Sequence, residues 1–349
     1  MSFSMNLANP YRSSGKPDVA TRRQFLTTLV GMGLAHLGGG QLAWAGQELR
    51  LGKGQPGFGG RTLGLGGPEV GLEKGADVVA SQGESAGRWL MKLSTSSIHF
   101  MSLPIEQACE RIAALGFEAI DIWSAHAGCP HLDDVQKRLG PGGLQEMLAK
   151  YRLKLYSFSV YAGGYRKYAE LLGKAGGGVA VRGSTRPCQP QELSARMKAF
   201  LESLQPEADL AEKYNSYIAI ENHGHALLDS IDSIKAFVDL NRHRRIGIAL
   251  APYHVQARGE KVEEAILAAG EQLLFFYAWQ HAPGLQQLPG IGPTDFTPWI
   301  AALAKVGYRW YVNPFMHHEP PPDAMSQALA KARDYLKTVY AKAVPEPSA

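Results

Sequence analysis

Between residues 92 and 340 the chain alternates short apolar runs, rich in β-branched and aromatic residues, with longer stretches whose apolar positions recur every three or four residues. The runs predict strands at 92–100, 119–123, 154–160, 179–183, 217–221, 246–250, 273–280 and 308–312. Helical spacing fills most of the gaps. Pro104 opens one helix, with Ile105, Ala108, Ile112 and Leu115 on one face and Gly116 as its stop. The same logic predicts helices at 143–151, 193–204, 230–240, 262–269 and 298–306, and a final helix at 324–340 that covers the outside. The link after the third strand is the weakest, a short helix at best over 165–174. Eight strands with intervening helices predict one α/β domain, a closed parallel (β/α)8 barrel over 91–343, with a tail at 344–349. An open doubly wound sheet would need a crossover reversal that the pattern lacks, and no Gly-x-Gly-x-x-Gly follows any strand.

The first ninety residues follow a different pattern. Thr21-Arg22-Arg23-Gln24-Phe25-Leu26 reads as a twin-arginine export motif, followed by an apolar stretch from Leu26 to Leu37 and a cleavage site at Ala43-Trp44-Ala45. That stretch is shorter than the roughly 20 apolar residues a bilayer-spanning helix needs, so a signal peptide over 1–45 is expected, with no stable membrane span. Residues 46–90 are glycine-rich and lack sustained periodicity, the composition of a disordered linker. The twin-arginine route carries folded proteins, so folding and any cofactor uptake are expected before export to the periplasm or beyond.

Charge and cysteine content exclude some functions. The net charge of +4 is modest, and the Arg242-His243-Arg244-Arg245 cluster reads as a solvated turn, which argues against a nucleic-acid partner. Three cysteines, Cys109, Cys129 and Cys188, cannot make a disulfide framework, and Cys109 falls on the apolar face of a helix as a small buried residue.

Chemistry concentrates at the C-terminal ends of the predicted strands. In a parallel barrel these ends form one rim, where ligands bind. They carry His99; Trp123, Ser124 and His126; Ser159 and Tyr161; Arg182; Glu221 and His223; His254; Gln280 and His281; and Asn313, His317, His318 and Glu319. Seven of the chain's 11 histidines therefore map near one rim. Neutral imidazole is both a common metal ligand and a base that works near pH 7.

The stretch Leu115-Gly-Phe-Glu-Ala-Ile-Asp-Ile-Trp123, the run Ile218-Ala-Ile-Glu-Asn-His223 and the pair Gly307-Tyr308 give the chain its family resemblance. It resembles the sugar phosphate isomerase/epimerase family, whose xylose isomerase-like barrel also serves tagatose and psicose epimerases and endonuclease IV. The likeness covers residues 92 to about 340. It implies a divalent manganese, magnesium or zinc ion held by two glutamates, an aspartate and a histidine. Glu221 and His281 match two of these ligands. The family's Asp-x-x-His reads Ala251-Pro-Tyr-His254 here, and the position of its second glutamate is Phe315. Neither alanine nor phenylalanine can coordinate a metal.

Three readings follow. A rebuilt, nitrogen-richer centre could use Glu221, His281, His254 and one of His317, His318 or Glu319, with His317 the first choice. Alternatively the metal is absent, and Glu221 and His254 perform acid–base chemistry alone. In the third reading the barrel is a non-catalytic periplasmic carbohydrate-binding protein. The catalytic readings share one reaction, removal of a proton beside the carbonyl of a sugar or keto-sugar, leading to isomerisation, epimerisation or elimination. Substrate contacts are expected from Trp123, His126, Arg182, His223 and Tyr253, with Arg182 either a phosphate or carboxylate clamp or a partner of Glu221. The flat rings of Trp123, Tyr161, Tyr253, Trp279 and Phe315 suit a pyranose face. The endonuclease branch would need a denser ligand set and a basic surface. Family members often form homo-oligomers, although no interface is legible in this chain.

Overall fold

The computed structural model describes residues 88–345. The expected signal peptide and nearly all of the linker lie outside the described residues. Eight parallel strands close in sequence order: β1 (Lys92–Ser96), β2 (Ala119–Trp123), β3 (Lys154–Ser159), β4 (Gly178–Gly183), β5 (Ser216–Glu221), β6 (Ile246–Leu250), β7 (Leu273–Ala278) and β8 (Tyr311–Pro314). The last strand pairs with the first through Lys92 opposite Tyr311 and Leu93 opposite Val312. This is the (β/α)8 barrel the pattern predicts.

Alternation along the strands builds two cores. Outward residues such as Ile120, Ile122, Ile218, Ile220, Ile248 and Phe276 pack against the helices. Inward residues such as Ala119, Tyr156, Val179, Val181, Ala219, Phe275 and Tyr277 fill the barrel. Tyr156 and Phe275 stack there with ring centroids 4.8 Å apart. Two register shifts break the alternation. Ile120 lies opposite Leu155 but Asp121 lies opposite Ser157, so Tyr156 and Ser157 both turn inward. The shift between β6 and β7 likewise sends Leu274 and Phe275 inward together. Gly247 makes room for it, since a Cβ there would press on the Gln272 carbonyl and come within 2.7 Å of Leu274 Cγ.

Differences from the sequence expectation have local causes. Strand β1 ends at Ser96, and Ser97–Phe100 forms a 3-10 turn in which the Ser97 hydroxyl accepts the Trp123 N–H at 3.0 Å. The eighth strand starts at Tyr311, not Tyr308; Tyr308 closes the helix Thr297–Lys305 through its N–H on the Leu303 carbonyl. The weakest link, after β3, is a full helix, Gly164–Lys174, burying Tyr165, Tyr168, Leu171 and Leu172. A second helix, Gln205–Lys213, follows Leu193–Ser203 and escaped prediction. Cys109 is buried, and all three cysteines are free. No helix among the described residues is long and apolar enough to cross a membrane.

Candidate active site at the C-terminal rim

A cavity of about 440 Å3 opens where the strands end. Strand β5 delivers Glu221 to it, because Ile218 and Ile220 face out and Ala219 and Glu221 face in. The Glu221 side chain has little contact with solvent, and burial raises its pKa from 4.5 to about 7, against weaker opposing effects of the Tyr161 hydroxyl and His223. A carboxyl near 7 can both take and return a proton at neutral pH.

The next two residues organise the neighbouring strand end. The Asn222 amide clasps the backbone of Ala251, accepting its N–H at 2.6 Å and donating to its carbonyl at 3.2 Å. Ala251 caps the short helix Pro252–Ala257, so the clasp fixes where His254 stands. His223 bonds through Nδ1 with the Gly224 carbonyl at 2.8 Å, and its ring lies 4.1 Å from that of His254. His254 is held at about 3, by burial first and then by His223, His317 and His281, so its imidazole is neutral. Its Nε2 is buried without a hydrogen-bond partner.

Aromatic rings line much of the same cavity. Trp123 and Phe315 stack with centroids 5.4 Å apart, and Tyr253 stacks on Trp279 at 4.4 Å. The Trp279 indole donates to Gln287 Oε1 at 2.7 Å, and the same oxygen accepts the His317 N–H at 3.1 Å, locking two wall residues together. The hydroxyls of Tyr161 and Tyr277 are 3.1 Å apart.

Beneath this wall lies Asp121, fully buried. It accepts from Trp123 Nε1 at 2.6 Å, Ser96 Oγ at 2.8 Å, Ser157 Oγ at 2.9 Å and Ser159 Oγ at 3.0 Å. Burial raises its pKa to about 6 despite these donors. Sequence reasoning passed over Asp121, although the strand alternation Asp121-Ile122-Trp123 puts the acid on the same face as the indole. It also passed over Tyr277 and Gln287, whose roles depend on tertiary contacts.

The expected site residues divide. Glu221, His254, His126, His223, Trp123, Tyr253 and His317 all line the cavity. Arg182 does not: it alternates outward from β4, where Nη1 donates to both oxygens of Glu207 at 2.8 and 2.7 Å. It therefore partners neither Glu221 nor the cavity. His281 also stands outside, exposed, with its ring 4.7 Å from Tyr253. His99 is structural, bonded with Thr95 at 3.0 Å and accepting the Met316 N–H at 3.3 Å. Inward positions at the tops of β5, β6, β7 and β8 are Glu221, Ala251, Trp279 and Phe315. Only one of these has an oxygen or nitrogen ligand for a hard cation, and among the described residues no three His, Cys, Asp or Glu side chains converge to hold a metal ion. This donor set does not fit the metal that the family resemblance implies.

Residues 109–338 match the model of the xylose isomerase-like TIM barrel. The chain belongs to that family. Among solved structures, this xylose isomerase-like barrel aligns with 3-keto-D-glucoside 4-epimerase YcjR from E. coli, in its apo form, at TM-score 0.55 and 16% identity, over 70% of this chain and 100% of that one. The IolI protein with a bound zinc atom aligns at TM-score 0.56 and 17% identity, over 73% and 100% of the two chains. A xylose isomerase-like TIM barrel/4-hydroxyphenylpyruvate dioxygenase fusion protein aligns at TM-score 0.56 and 16% identity, over 72% of this chain, which spans 43% of that one. At these identities the likeness is one of fold. No curated protein sequence matches the chain.

Proposed function

We propose that this barrel is an exported enzyme that removes a proton beside the carbonyl of a sugar or keto-sugar without a resident metal, using Glu221 as its base. One observation carries the reading: a single carboxylate, raised to about 7 by burial, faces a cavity walled by stacked aromatic rings. A keto-sugar lying with its apolar face on Trp123 would present its ring edge to the groups opposite. Glu221 would take the proton from the carbon next to the carbonyl, and the electron pair would move onto the carbonyl oxygen. His254, neutral and with an unpartnered Nε2, would donate to that oxyanion in the tautomer that carries hydrogen on Nε2. Delivery of the proton to the former carbonyl carbon, with the α-hydroxyl proton passing to the oxyanion, gives isomerisation; collapse of the enolate with departure of a β group carrying its bonding pair gives elimination. Inversion by two opposed carboxylates is the least favoured outcome, since Phe315 stands at the second position. Among its structural neighbours, YcjR is a 3-keto-D-glucoside 4-epimerase, which supports the substrate class.

The alternative is a carbohydrate-binding protein, favoured by the same aromatic wall. A screen of ketohexoses and 3-keto-glucosides separates the two. The enzyme reading expects turnover that falls by at least about a hundredfold in Glu221→Gln, in line with the 10²–10⁴-fold contribution of a positioned base. Sugar binding without turnover in the wild type would instead support the binding protein. Full activity in the variant would remove Glu221 from the chemistry.

A further inference from the structure

The charges around the cavity decide which sugars it admits. Its walls carry one acid, Glu221, and among the described residues neither a lysine nor an arginine. Arg182 is near in register, since Gly183 pairs with Glu221, but its guanidinium is committed to Glu207 on the other side of the sheet. The buried imidazoles supply no fixed cation. Burial holds His254 at about 3 and His317 at about 4, and it lowers His126 as well.

In the loops after β7 and β8, where a barrel usually holds a phosphate, three backbone donors are also taken. The N–H of His281 goes to Gln256, that of Thr294 to Gln280 and that of His317 to Gln287. Just before the helix Thr297–Lys305, the exposed Asp295 takes the Thr297 N–H. A charged substituent would thus be buried against a carboxylate with nothing to neutralise it.

Granting the sugar reading above, we infer that the cavity admits only uncharged sugars, keto-sugars or their glycosides, and rejects phosphate esters and uronates. At pH 8 one like charge about 6 Å from Glu221 weakens binding about tenfold, because a carboxyl that titrates at about 7 escapes stronger repulsion by taking a proton. A phosphate dianion is rejected more strongly.

Trp123 and Trp279 in the wall make tryptophan fluorescence the readout. The titrations are run at pH 8, where an ordinary imidazole is neutral, with D-fructose against fructose 6-phosphate, D-glucose against glucuronate, and methyl 3-keto-D-glucoside against its 6-phosphate. At least one neutral member is expected to bind, with its charged counterpart about tenfold weaker or worse. Glu221→Gln should recover much of that difference. A charged member binding as tightly as its neutral partner overturns the inference and leaves the proton-abstraction reading standing. Discrimination without turnover does the reverse. No binding by either class removes both.

Discussion

Replacing Glu221 with glutamine should make the protein more stable, and only at higher pH. Its carboxyl titrates at about 7 in the folded chain against 4.5 ordinarily, because burial disfavours the charged form. Between these values the folded chain retains a proton that the unfolded chain has released. Raising the pH through this window therefore costs stability, and the penalty is complete above about pH 8. The difference corresponds to about 3 kcal/mol at about 1.4 kcal/mol per tenfold change in proton affinity. Glutamine is close in size and carries no such penalty. Asp121, raised to about 6, weakens both proteins alike and cancels in the comparison. The assay is thermal or urea unfolding of both proteins from pH 4.5 to 8.5. The expected gap is near zero at pH 4.5 and grows to about 3 kcal/mol by pH 8, or about 6–12 °C in Tm for a domain of this size. A gap that does not change with pH would refute the claim that burial loads this carboxyl.

Three further outcomes follow. Asp121→Asn turns an acceptor with several buried donors into an amide that opposes some of them. It is expected to cost about 2–4 kcal/mol in urea unfolding and to shift Trp123 emission; unchanged emission would mean that the acid does not hold the indole. Arg182→Ala leaves the mostly buried Glu207 with only the more distant Arg166, at 3.8 Å, and should lower stability by about 1–3 kcal/mol while leaving turnover within twofold, and a large rise in KM would restore Arg182 as a substrate clamp. Elemental analysis of purified protein should find no stoichiometric transition metal; a full equivalent that disappears in Glu221→Gln would reinstate a rebuilt centre.

The barrel was legible because each strand combines apolar residues with strand-forming shapes, and the helices between them carry helical spacing. The strand ends were less legible. Ser97 and Tyr308 look like strand residues by type, yet each serves a turn through one hydrogen bond made elsewhere in the chain. For the site, placing a residue near a strand end did not say which way it points. Glu221 and Arg182 both sit at strand tops, but alternation sends one into the cavity and the other onto a helix. His281 shares the parity of the inward Trp279 but falls outside, because the strand ends at Ala278. Asp121 was visible in the sequence as an acid two residues before a tryptophan. Its serine partners were not, because a register shift between β2 and β3 is what brings Ser157 inward.

The most direct test of the central claim is proton exchange. Wild type and Glu221→Gln are incubated in D2O with a panel of ketohexoses and 3-keto-glucosides, and deuterium at the carbon beside the carbonyl is followed by NMR. Exchange reports abstraction whether or not net isomerisation or elimination follows. Loss of the C–H signal with wild type, slowed at least about a hundredfold in the variant, is the result expected if Glu221 is the base. Exchange at equal rates in both proteins, or none above the buffer rate with any sugar the wild type binds, would contradict it.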